Sequence, residues 1–89
     1  MNLDTRAIDD AVLALLYLTL HDRHRAWKGH DWDALERLHT QGFIGNPVGK
    51  AKSVVFTEEG LRRAEQLFRD RFVIDDADGR AAESRYPPL

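Results

Sequence analysis

From Thr5 onwards, apolar residues recur at helical spacing. Ile8, Val12, Leu15 and Leu16 mark one stripe, and Leu13, Leu18 and Leu20 widen it until it runs nearly all the way round. The pattern predicts a helix over residues 5–22, capped by Asp4 or Thr5, whose side-chain oxygens can accept from the unpaired N–H groups of the first turn. Asp9 and Asp10 lie towards its positive end, where the helix dipole favours them. A helix that is apolar on all sides is either central to a core or shared with a partner. Residues 23–30 are polar and basic, with Trp27 among them, and read as a connection. Asp31 is suited to cap a second helix over 32–41, with Trp32, Leu35, Leu38 and His39 on its buried side. Gly42 fits the left-handed position that ends helices.

Phe43-Ile44 and Ser53-Val54-Val55-Phe56 read as short strands separated by the turn residues Asn46, Pro47 and Gly49. They predict a hairpin with a loop of roughly seven residues. Thr57 caps a third helix with Glu58 and Glu59 in its first turn and an apolar stripe of Leu61, Ala64, Leu67, Phe68 and Phe72. The expected fold is mostly α with a small β-hairpin, in the order helix, helix, hairpin, helix. It forms one domain over residues 1–74. Residues 75–89 lack a sustained apolar period and read as a flexible tail with Tyr86 and Leu89 as weak anchors.

Composition narrows the function classes. The 89 residues suffice for one domain with a modest core. Hydrophobic residues make up 43% and charged residues 31%, which argues against a chain disordered throughout. There is no cysteine, hence no disulfide, thiolate metal site or cysteine nucleophile. Met1-Asn2-Leu3-Asp4 does not open a signal peptide, and the apolar run Ala11–Leu18 is far shorter than a membrane span of about 20 residues. A cytoplasmic location is expected. The net charge of -2 lacks the clear basic excess of a dedicated nucleic-acid binder.

Two stretches carry a family resemblance. Leu35-x-x-Leu38-x-x-x-Gly42-Phe43-Ile44, followed by Ser53-Val54-Val55-Phe56-Thr57-Glu58-Glu59-Gly60-Leu61, resembles winged-helix regulators of the MarR and PadR type over about residues 33–68. In those proteins a helix ends in a leucine and a glycine-apolar-apolar step, a wing follows, and a strand closes on Leu-Thr-x-x-Gly. The resemblance implies a reduced winged-helix-like domain. Over about residues 1–72 the chain also resembles a small bacterial family catalogued as a domain of unknown function. Ile8–Leu18, Arg25-Ala26-Trp27-Lys28-Gly29, Asp31–Leu35 and Lys50–Val54 carry that second resemblance, which implies no activity. A standard helix-turn-helix places a complete helix where this chain has only residues 23–30, and the second helix opens with Asp31, Asp33 and Glu36.

The candidate nucleic-acid-binding residues are Arg23, Arg25, Lys28, Lys50 and Lys52. In a winged helix the wing lysines sit where phosphate or the minor groove is touched. The same charges also suit a solvated turn. Trp27 and Trp32 either fill the space left by the missing helix or, beside a basic loop, stack on a base or anchor a partner. His21, His24, His30 and His39 do not show the paired spacing of a structural zinc site, and no metal or cofactor is expected. Walker spacing and a nucleophile elbow are both absent, so no reaction is proposed from the sequence. The preferred expectation is a non-catalytic homodimeric interaction or regulatory module, with Leu13, Tyr17, Leu20 and Trp27 as candidate partner-interface residues. The alternative is a winged-helix DNA-binding transcriptional regulator.

Overall fold

The computed structural model describes residues 1–74. Helix α1 spans Thr5–Leu18 and begins where the Asp4 carboxylate accepts from the Ala7 N–H at 3.0 Å. It stops four residues short of the expected end. Asp22 and Arg23 adopt positive φ angles of 49° and 71°, which turn the chain back so that His21 pairs with Arg25 in an antiparallel bridge. Thr19 holds this corner, its hydroxyl donating to the Leu16 carbonyl and accepting from the Trp27 N–H.

The turn produces a strand inside the segment expected to be a connection. Strand β1, Arg25–Trp27, pairs antiparallel with β2, Ser53–Val55, in the register Arg25↔Val55, Ala26↔Val54 and Trp27↔Ser53. The expected hairpin arm Phe43-Ile44 contributes a single bridge, Ile44↔Phe56. Successive backbone groups of a strand point to alternate sides. The Phe56 N–H accordingly bonds to the His24 carbonyl on the β1 side, while the Val55 carbonyl and Thr57 N–H bond to Gly45 and Phe43 on the other. The order helix, helix, hairpin, helix therefore stands, with β1 added along the free side of the hairpin's second arm.

Helix α2, Trp32–Thr40, is capped by Asp31, whose carboxylate accepts from the Ala34 N–H at 3.0 Å. Its buried arc is Ala34, Leu35 and Leu38. Trp32 and His39 lie at the rim of that arc, and Trp32 is 48% exposed, which corrects its expected place on the buried side. Gly42 takes the expected left-handed conformation, with φ 82°.

Helix α3, Glu58–Phe72, explains the Thr-x-x-Gly motif physically. The Thr57 hydroxyl accepts from the Gly60 N–H at 3.0 Å and donates to the Gly42 carbonyl at 2.6 Å, tying the start of α3 to the end of α2. A Cβ on Gly60 would lie 1.7 Å from the Phe43 carbonyl oxygen, so glycine permits the close approach of α3 to the hairpin. Leu13, Leu16, Leu35, Leu38 and Ile44 are almost wholly buried, and Val54, Phe56, Ala64 and Leu67 complete the core. α1 packs against both other helices. The expected tail, residues 75–89 with Tyr86 and Leu89, lies outside the described residues.

Candidate contact surfaces

Three surfaces follow from this packing. The first is the outer face of the small sheet. Side chains alternate across a strand, so with Ala26 and Val54 buried, Arg25, Trp27 and Ser53 are turned away from the core. Arg25 Nη1 donates to Ser53 Oγ at 3.0 Å. Trp27 is 52% exposed and stacks on His21, with ring centroids 4.2 Å apart and planes 27° from parallel. His21 Nδ1 lies 2.8 Å from the Thr19 carbonyl, which can only accept, so that nitrogen carries a proton. The sequence expectation that the tryptophans fill a core gap is thereby corrected, because β1 and small residues such as Ala26 and Ala34 close the core there.

The sheet also gathers the basic residues. The Lys28 N–H bonds to the Lys52 carbonyl at 3.0 Å, so these two residues sit across the ladder from each other. The Lys28 ammonium donates to the carbonyls of Pro47 at 2.7 Å and Gly49 at 3.1 Å, pinning the loop against β1. A shallow hollow of about 430 Å³ lies between Trp27, Lys28, Gly29 and Lys52. Arg23, Lys50 and Lys52 are exposed and make no side-chain hydrogen bond or ion pair among the described residues. His30, half-buried at the end of this segment, is held below its ordinary pKa by burial. The other histidines are dispersed, and among the described residues no group of three or more His, Asp or Glu side chains is placed to hold a metal ion.

The second surface is the outer stripe of α1. Of the residues expected at a partner interface, Leu13 is completely buried within the chain, because it lies on the arc of α1 that faces the core. Tyr17 and Leu20 are half-buried against the core, Tyr17 tilted on Phe68 at 5.2 Å and Phe68 on Phe72 at 6.0 Å. Two residues that the sequence placed in the apolar stripe, but not among the candidate interface residues, lie on the opposite arc. Leu15 is 37% exposed and Leu18 is 64% exposed, in line with the partly covered Ile8 and Ala11. Positions 8, 11, 15 and 18 follow the three-then-four spacing of a helix-pairing seam. That spacing was a usable signal, although a stripe apolar on nearly all sides concealed which arc would remain outside.

The third surface is a charged open groove of about 820 Å³ between α1, the end of α2 and the first half of α3. Its floor is Asp9, which is 4% exposed and accepts from Arg37 Nε through both carboxylate oxygens, at 2.9 and 2.8 Å. The hydrogen bond to Asp9 raises the Arg37 pKa above its ordinary value. Desolvation opposes it, and the charges of Asp9, Asp33 and Asp31 reinforce it. Asp10, on the same side of α1, meets Arg63 at 3.7 Å and Arg71 at 3.5 Å. Arg37, Arg63 and Arg71 thus lock α1 to α2 and α3 through Asp9 and Asp10, while Arg6 and Arg62, which also line the groove, make no ion pair among the described residues.

The fold and its surfaces define a small three-helix domain with an antiparallel strand pair and a mixed aromatic and basic outer face. The chain belongs to the family described as "Domain of unknown function (DUF6429)", which matches residues 4–74. It is 60% identical over 72 residues to "Uncharacterized protein y4hR" of Sinorhizobium fredii (strain NBRC 101917 / NGR234), an alignment covering 81% of this chain and 97% of that protein. No solved structure matches the chain. Neither the family description nor the relative's name assigns an activity. Among the described residues, no helix is long and apolar enough to cross a membrane.

Proposed function

We propose that the domain is a non-catalytic interaction module that self-associates through α1. The observation carrying this reading is the outer stripe of that helix. Ala7, Ile8, Ala11, Leu15 and Leu18 share one side, and no charged residue interrupts them. A solvated helix face is normally polar. A seam at helix-pairing spacing on a single helix is self-complementary about a two-fold axis, so a second copy is its natural occupant. Such a seam, about 16 Å long and one helix wide, covers well under the roughly 800 Å² per partner of a standard interface. Micromolar association is the expected strength. Light scattering across a concentration series tests the reading directly: the mean mass rises from one chain towards two, and a constant monomer mass at high micromolar concentration overturns it.

A second reading, a duplex-DNA-binding regulator, draws its support from the outward cations Arg23, Lys50 and Lys52. It is the weaker reading because Lys28 is already engaged by two carbonyls and α2 opens with Asp31 and Asp33, which repel a phosphate-lined groove. Anisotropy titrations of a duplex at two salt concentrations decide it. Phosphate-driven binding weakens steeply with salt and weakens further in a Lys50→Ala/Lys52→Ala variant.

A further inference from the structure

We propose that the outer face of the β1–β2 sheet binds single-stranded nucleic acid, with one unpaired base stacked on the Trp27 indole and neighbouring phosphates along Arg23, Lys50 and Lys52.

The indole is half in water in a domain whose size limits its core, so burying it on a ligand recovers apolar area that folding left exposed. It is also held in place. Its backbone N–H bonds to Thr19 Oγ1, and one ring face is backed by His21, whose own Nδ1 proton is fixed on the Thr19 carbonyl. A ring stacked on one face leaves the other for a base, and a ring that is already ordered loses little entropy on binding.

The charges around it are segregated. Segments 23–30 and 47–53, brought together by strand pairing, carry Arg23, Arg25, Lys28, Lys50 and Lys52 and no carboxylate, in a chain whose net charge is -2. An apolar protein anchor does not require a cationic ring around it, whereas a polyanion bearing flat bases does. Arg25 Nη1 and Ser53 Oγ, next to Trp27 on the same face, supply hydrogen-bonding groups for a base edge. The single strand is favoured over the duplex because paired bases offer no open face for stacking. A narrow strand can also follow the sheet without approaching the acidic start of α2.

The test uses the full chain carrying Trp32→Phe, so that Trp27 is the sole indole emitter. It is titrated with an oligothymidylate of about eight nucleotides and with a blunt duplex of the same length. Saturable quenching by the single strand, with at least tenfold weaker duplex binding, supports the proposal. With a labelled oligonucleotide, Trp27→Ala weakens binding about five- to hundredfold while Trp27→Phe is intermediate. Lys50→Ala/Lys52→Ala lowers the slope of log K against log salt by about 1.4. Circular dichroism confirms that each variant remains folded. Absence of quenching at low salt, equal affinity for the duplex, a folded Trp27→Ala variant that binds like the parent, or equal binding of an oligoglutamate peptide each overturns the proposal. The last of these outcomes points instead to an acidic protein partner.

Discussion

Arg37 Nε sits 2.9 and 2.8 Å from the two carboxylate oxygens of Asp9, joining the middle of α1 to α2 across the floor of the charged groove. The two side chains are unequally placed. The Asp9 side chain is 6% exposed, whereas that of Arg37 is 35% exposed. Arg37 can therefore turn to water if its partner is lost, but Asp9 cannot. Removing one partner of a buried pair chiefly costs the charge left behind. Arg37→Ala is expected to lower the thermal midpoint by on the order of 10 °C, and Asp9→Asn by clearly less. Calorimetry of both single variants and the double variant measures this asymmetry, which equal losses would contradict.

The start of α3 makes a second prediction. Gly60→Ala places a methyl carbon on the Phe43 backbone carbonyl, a neighbour that cannot swing aside as a side-chain tip could. A loss of about 3 kcal/mol is expected, at the upper end for overpacking. Thr57→Val removes the cap of Gly60 and the bond to the Gly42 carbonyl, and is expected to cost about 1–2 kcal/mol. Urea denaturation gives both values. A Gly60→Ala protein as stable as the parent would show that α3 does not approach the hairpin this closely.

Self-association through α1 can be separated from folding, because Leu15 and Leu18 are outside the core while Leu13 and Leu16 are inside it. Leu15→Glu/Leu18→Glu is expected to abolish the concentration-dependent rise in mass in light scattering while leaving the helical circular dichroism and thermal midpoint nearly unchanged. Like charges placed on both copies of a two-fold seam face each other, which strengthens the effect. A double variant that still dimerises would move the interface away from this stripe.

The segment between β1 and α2 supplies a pH dependence. Burial lowers the His30 pKa from its reference of 6.5, so the unfolded chain binds the proton more readily than the folded one. The His30 contribution is therefore intact above pH 6.5, and stability falls as pH drops through 6.5 towards the lower folded value. Thermal midpoints measured from pH 7.5 to 5.5 should decline in the parent, with a shallower decline in His30→Gln. Parallel curves for the two proteins would assign the dependence to other groups.

Much of this domain can be read from local chemistry. The three helix starts at Asp4, Asp31 and Thr57 and the left-handed Gly42 are short-range signals present in the structure, as are the apolar stripes of α2 and α3 except at Trp32 and Phe72, which are exposed at 48% and 46%. Of the surfaces, the basic set was visible as a list of residues, because a charge is legible without knowing what lies beside it. The exposure of Trp27 and Trp32 was not, since an aromatic side chain reads the same whether it fills a core or leaves it.

Sequence alone determined the order of elements, the caps that begin the helices and most of the apolar positions, because these depend on contacts within a few residues. Tertiary structure decided where α1 ends, since Asp22 and Arg23 adopt positive φ to bring Arg25–Trp27 alongside Ser53–Val55. It decided which arc of α1 stays outside, because α2, α3 and the sheet cover the other arcs. It also decided that Asp9 meets Arg37 and that Trp27 stands on His21 beside Lys52. Those juxtapositions join residues that are distant in the chain or set by the turn between them. They exist only once the β1–β2 pairing and the helix packing have chosen one arrangement among the many that the same local preferences allow.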